Sequence, residues 1–360
     1  MNGTLTIAVF RKIPLKVHWS FGLLILFVLY TSVDKGLTIT QSYWFGGYFV
    51  ALFACVVMHE YGHAFAAEKY GIKTRDIILS PIGGVARLES LPDKPLQEMV
   101  IAIAGPLVNI FLALFIYIAL LIFSDGSLTP ASADLTRLTE PTDFLKYLFI
   151  LNIVLFVFNL IPAFPMDGGR ILRSLLAMKW GRLRATKIAS TIGRVLAIGF
   201  VAYAIYNNQL FLSMIGVFIF LSAGVEANHT KLTSILEELS AKDIMRTNFT
   251  RFHLSDTYDK AIDLYRRNIE SNFLIFDSLG YVSGTVPEQY IQEAIKRNAQ
   301  DLKFTEMLSY KHATILEHMS IKEVFEVMNK EGIAIVSVMR GDEIVGVVDR
   351  TGINHILSQK

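Results

Sequence analysis

Cysteine is almost missing from this chain of 360 residues. The one present, Cys55, lies in an apolar run, so no intrachain disulfide can form and cysteine usage says nothing about the compartment. Charge is scarce as well, at 18% of residues against about 25% in an ordinary soluble chain. What charge there is nearly cancels, leaving a net +2 and no basic stripe of the kind that grips a nucleic acid, so no nucleic-acid partner is expected. The deficit is uneven. Residues 1–225 carry 30 charged side chains and residues 226–360 carry 36, which predicts a membrane part followed by a soluble part.

What fills the first part is apolar sequence. Runs at about 17–33, 44–68, 99–123, 144–166, 188–206 and 209–224 are long enough to be read as six membrane helices, the shorter ones needing tilt or interfacial anchoring. The first run has Arg11, Lys12 and Lys16 ahead of it but no small-residue cleavage site behind it, so it reads as an uncleaved span. Positive charge collects at alternate ends: Arg11, Lys12 and Lys16; then Lys73, Arg75, Arg87 and Lys94; then Arg170, Arg173, Lys179, Arg182, Arg184 and Lys187. The positive-inside rule places those ends, and both termini, in the cytoplasm. His18, beside Trp19 at an expected membrane edge, reads as interfacial.

The second run ends in His59-Glu60-Tyr61-Gly62-His63. Residues i and i+4 share a helix face, so both imidazoles can meet one ion while Glu60, one step round the helix, reaches its water. Ionisable groups inside a span are costly and point to function, the rival reading being a polar cluster that packs helices. A catalytic zinc site takes three protein ligands plus water. Asp167 is the other suitable acid, in a stretch from Phe158 to Arg170 whose two prolines and two glycines break the helix. Irregular backbone at membrane depth is tolerated where it is buried or lines a cavity, and the expected topology puts His59, His63 and Asp167 near one face. A plain turn at a helix end is the alternative for Asp167-Gly168-Gly169.

These motifs resemble the site-2 protease family of intramembrane zinc metalloproteases. The likeness rests on His59-Glu60-Tyr61-Gly62-His63, on Asn159 with Pro165-Met166-Asp167-Gly168-Gly169, on Pro81-Ile82-Gly83-Gly84-Val85-Ala86, and on Ala104-Gly105-Pro106-Leu107-Val108-Asn109. It implies one Zn2+ per chain on His59, His63 and Asp167, Glu60 as general base, and Asn159 as a polar group beside the metal. It also implies a membrane-associated β region at 81–86, where Gly83, Gly84 and Val85 would present an extended edge to an unwound substrate by β-augmentation. On the residues alone the two glycines fit a hairpin turn nearly as well. The connection 124–143 is too short for the PDZ domain many members carry, so the chain resembles the compact branch with a cytoplasmic tail.

That tail, after a linker at 226–240, contains two similar units at about 241–298 and 302–360. Each has a helix (257–268; 321–330), two apolar strands (273–277 and 281–286; 333–339 and 343–348) and a closing helix (from 288; from 351), with Ser255 and Ser320 as candidate caps. The repeat resembles a tandem CBS pair, an α/β domain that often binds adenine nucleotides through a Thr/Ser and, three residues on, an Asp. Pro287 and Tyr290 stand there in the first unit, Asp349 and Gly352 in the second. Neither pair matches, so ATP or AMP is expected to bind weakly or not at all, and a structural or dimerising module, giving a homodimer, stands beside the nucleotide-sensing reading. His229, His253, His312, His318 and His355 read as ordinary surface or core residues.

The fold expected is therefore a polytopic α-helical membrane protein of six transmembrane helices with a membrane-associated β region, residues 1–225, plus a cytoplasmic α/β tandem CBS domain at 241–360. By the resemblance its function is intramembrane zinc proteolysis of a single-span substrate, such as an anti-sigma factor or a membrane-tethered transcription factor, in the lipid bilayer of the inner or plasma membrane. A metal or ion transporter would spread polar residues over several spans. A catalytically silent scaffold would have no need for both imidazoles, Glu60 and Asp167.

Overall fold

In the computed structural model the described residues are 3–359 apart from 82, 91, 93, 125 and 133, so Ile82 of the Pro81–Ala86 stretch lies outside them. Internal contacts divide the chain into Met1–Asn228 and His229–Lys360.

The first unit begins with strands. β1 (Thr4–Phe10) and β2 (Ile13–His18) form an antiparallel hairpin turned by Arg11 and Lys12, both at positive φ. The alternation of Leu5, Ile7 and Val9 with Thr4, Thr6 and Ala8 is the period-two signal of a strand. Helix α1 (Phe21–Asp34) follows, then α2 (Ile39–Glu68), the strands β3 (Thr74–Ser80) and β4 (Gly83–Leu88), and helices α3 (Pro95–Phe123), α4 (Pro141–Asn159), α5 (Asp167–Trp180), α6 (Arg182–Tyr206) and α7 (Leu210–Glu238). Among the described residues five helices, α2, α3, α4, α6 and α7, are long and apolar enough to cross a membrane, and α1 is a shorter apolar helix. The run at 17–33 yields only 14 residues of helix because residues 13–18 pair as β2. At 1.5 Å per residue that is about 21 Å, short of a hydrocarbon core of about 30 Å. The run at 144–166 stops at Asn159, ahead of Pro162 and Pro165, and the chain restarts as α5 at Asp167. Residues 226–238, read above as part of a linker, continue α7, since no glycine or proline interrupts them.

The four strands make one sheet in the order β1-β2-β3-β4, with β2 parallel to β3 and the other pairs antiparallel. β4 is thus an edge, and Gly83, Gly84 and Val85 belong to it rather than to the turn. Buried Asp76 on β3 ties three strands together, accepting from Lys16 on β2 at 2.7 Å and from Arg87 on β4 at 2.6 Å. Arg87 and Lys16 hold that carboxyl down to about 2, so it is ionised at neutral pH.

After the last residues of α7 the second unit has the short helix α8 (Ala241–Ile244), then repeats one pattern twice. β5 (Arg251–His253), α9 (Tyr258–Arg266), β6 (Phe273–Phe276), β7 (Val282–Val286) and α10 (Glu288–Lys296) are followed by β8 (Thr314–Leu316), α11 (Ile321–Glu331), β9 (Ile335–Arg340), β10 (Glu343–Asp349) and α12 (Arg350–Gln359). Each sheet pairs its first two strands in parallel and its last two antiparallel. Phe252, Phe273 and Phe304 centre one core, and Ile321, Val324 and Val336 the other. Ser320 caps α11 in a capping box with Glu323, whereas Thr257, not Ser255, stands at the N-cap of α9.

Candidate metal centre

Three elements deliver the polar groups. α2 is started by a Thr38–Gln41 capping box and carries His59, Glu60 and His63 in its buried last third. α3 crosses it closely at Gly105, where a Cβ would lie 2.3 Å from His63 Nε2 and 2.7 Å from His59 Nε2. Only glycine leaves room for the two rings there. α5 begins with Asp167 because Pro162 and Pro165 forbid helix just before it.

His59 Nε2, His63 Nε2 and Asp167 Oδ2 converge at 3.1, 3.2 and 3.3 Å from one another, all three residues buried. Among the described residues they form the one cluster able to hold a metal ion. The other ring nitrogens define the tautomers. His63 Nδ1 donates to the Ile101 carbonyl at 2.7 Å, and His59 Nδ1 donates to Asn109 Oδ1 at 2.6 Å. With both rings neutral, their Nε2 atoms present lone pairs to each other and to a carboxylate, an arrangement that favours a cation among them. Tetrahedral zinc with bonds of about 2.0–2.1 Å requires ligand atoms about 3.3 Å apart. The donor set and its spacing fit zinc.

Glu60 stands outside this triangle, its Oε2 accepting from the Ala86 N–H of edge strand β4 at 2.7 Å. Gly84 permits the approach: a Cβ there would lie 2.8 Å from Glu60 Cγ and 3.0 Å from Val56. A cavity of about 440 Å³ opens over these groups, lined by His59, Glu60, Gly83, Gly84, Val85 and Asn159 among others. The structure thus gathers every residue expected at the site. His59, His63 and Asp167 form the triangle, while Glu60, Asn159, Gly83, Gly84 and Val85 border the cavity with His59. Sequence reasoning missed the Ala86 amide and Asn152, and quoted Asn109 without a role; a polar residue inside an apolar run was the signal for both asparagines. It also took Arg173 for a flanking charge. Arg173 is buried against Glu98 of α3 and Glu226 of α7, with its guanidinium 5.0 Å from the Phe164 ring centre.

Comparison with known proteins agrees with this chemistry. The model of peptidase family M50 matches residues 47–200, and that of the CBS domain residues 305–358. The zinc metalloprotease MJ0392 of Methanocaldococcus jannaschii is 31% identical over 360 residues, 99% of this chain and 97% of that protein. The putative zinc metalloprotease sll0528 of Synechocystis is 26% identical over 320 residues, 84% of this chain and 80% of that one. Among solved structures, the site-2 protease from Methanocaldococcus jannaschii is 34% identical, covering 62% of this chain and 95% of its own, with a TM-score of 0.47. With a zinc-fitting triad among its apolar helices and relatives along its whole length, the chain belongs to peptidase family M50 and is an integral membrane zinc metalloprotease with a C-terminal CBS tail.

Proposed function

We propose that this protease cuts membrane-anchored regulatory proteins within or near a transmembrane segment, close to the cytoplasmic face, with His59, His63 and Asp167 as its zinc ligands. The observation that carries the reading is the buried triangle beside a cavity bordered by an unpaired strand edge.

Bound zinc supplies a water acidified toward a pKa of about 7 and a Lewis acid for the scissile carbonyl. Glu60, bordering the same cavity, would take a proton from the attacking water and pass it to the departing amine. The Asn159 amide, on the cavity wall, donates to the oxyanion as it develops. A helical substrate hides its carbonyls in hydrogen bonds, so it must unwind first. The β4 edge at Gly83, Gly84 and Val85 pairs with the unwound stretch and holds it extended alongside Glu60.

Lys69, at the C-terminal cap of α2, marks the inner interface, and at 1.5 Å per residue His63 lies about 9 Å from it along the helix axis. A panel of single-span proteins should be cut inside the bilayer on the cytoplasmic side, with the bond mapped by mass spectrometry. A product ending on the outer side would contradict either the orientation or the site.

In the tail, the position where a CBS pair places its Thr/Ser holds Asp349, whose carboxylate accepts from the Gly352 N–H at 2.7 Å and pairs with Arg246 at 3.0 Å. It serves as a helix cap and is engaged. Pro287 and Tyr290 line a cavity of about 700 Å³ but offer no ribose carboxylate. Titration of the full chain with ATP and AMP should give little or no heat of binding, the tail acting instead as a dimerising module. Micromolar affinity coupled to a changed cleavage rate would make it a nucleotide sensor.

A further inference from the structure

We propose that Asn109 and Asn152 form an amide relay that fixes His59 in its metal-binding tautomer, making both asparagines positioning residues for the metal. The inference rests on the reading of His59 as a zinc ligand.

The two imidazoles are oriented by different kinds of acceptor. His63 Nδ1–H meets a backbone carbonyl, that of Ile101, which cannot present anything but an oxygen. His59 Nδ1–H meets the side-chain amide of Asn109, which can. Rotated by half a turn, that amide would aim Nδ2–H at the ring, favour the tautomer protonated on Nε2, and so place a hydrogen where the metal needs a lone pair. Something must therefore decide which way Asn109 points.

Asn152 on α4 decides it. Asn109 Nδ2 donates to Asn152 Oδ1 at 3.0 Å, which leaves Asn109 Oδ1 facing His59. Asn152 is held in turn, its Nδ2 donating to the Leu148 carbonyl at 2.9 Å and lying 3.4 Å from Cys55 Sγ. The direction of the whole chain is set at one backbone carbonyl. Asn109 and Asn152 are both 0% exposed, so water cannot substitute for a lost partner, and an unsatisfied amide there is costly. Three helices, α2, α3 and α4, thereby agree on a single imidazole orientation.

The test uses the purified full-length protein and zinc alone, with affinity measured by chelator competition. Asn109→Leu should weaken zinc binding about 10- to 100-fold, the range typical of a lost outer partner of a metal-bound histidine. Asn109→Asp keeps an acceptor for His59 and should restore affinity to within a few-fold of wild type. Asn152→Leu should weaken binding less than Asn109→Leu, and the double leucine variant should bind like Asn109→Leu, because Asn152 acts only through Asn109. The visible spectrum of the Co2+ form should change in Asn109→Leu and return in Asn109→Asp. Wild-type zinc affinity in Asn109→Leu, or losses that simply add in the double variant, would overturn the relay. His59→Ala separates the two readings: if it keeps wild-type affinity the ligand assignment falls and the relay with it. If it loses zinc while Asn109→Leu does not, only the relay falls.

Discussion

Replacing Glu60 with glutamine is expected to cut proteolysis by about 10²- to 10⁴-fold, the usual contribution of a positioned acid or base, while leaving zinc content unchanged. The two halves of that expectation come from separate observations. Glu60 borders the cavity beside His59, where a substrate carbonyl and the attacking water would meet, so losing its basicity stops the proton transfer. It takes no part in the His59–His63–Asp167 triangle, so its removal costs the metal no ligand. Glutamine is the informative substitution because its carbonyl oxygen can still accept from the Ala86 N–H that Glu60 now engages, and the β4 edge stays where it is. Turnover of a single-span substrate and zinc per chain, measured on one preparation, check both halves. Wild-type turnover in the variant would remove Glu60 from the mechanism.

Asp167→Ala should do the reverse, losing zinc first and activity in consequence. It leaves two imidazoles, one ligand short of a catalytic site, and its effect on affinity should exceed the roughly 10- to 100-fold expected for an outer partner such as Asn109. His59→Ala and His63→Ala should fall in the same class. Equal zinc content in Asp167→Ala and wild type, by elemental analysis after dialysis against a weak chelator, would take Asp167 out of the site.

The parts of the site that were legible in the sequence are those whose residue types are improbable where they stand. His59, Glu60, His63 and Asp167 are ionisable groups in or beside apolar runs, and the i, i+4 spacing already places both imidazoles on one helix face. The repeat in the tail was legible because its helix and strand periods recur. Three things were not. The β1–β2 hairpin lies almost wholly ahead of the run read as the first span, and its pairing with β3, some 60 residues away, has no local signature. The contact of Glu60 with the Ala86 amide uses backbone, which every residue possesses. The buried role of Arg173 depends on Glu98 and Glu226, which come from other helices, and no local pattern distinguishes it from Arg170 three positions earlier.

That last cluster also constrains how the protein can change over generations. Arg173 and Arg182 with Glu98 and Glu226 form a quartet whose formal charges cancel, spanning α3, α5, α6 and α7. Removing one partner from a buried pair costs about 3–5 kcal/mol because the other charge is stranded, whereas replacing a whole pair with apolar side chains of similar volume can be neutral. Substitution at the buried Glu98–Arg173 pair is therefore expected to be coupled: losing Glu98 alone strands Arg173, and losing both together is the tolerable change. Each single step away from Glu98 or Arg173 is thus expected to lead downhill, however little net stability the pair itself adds.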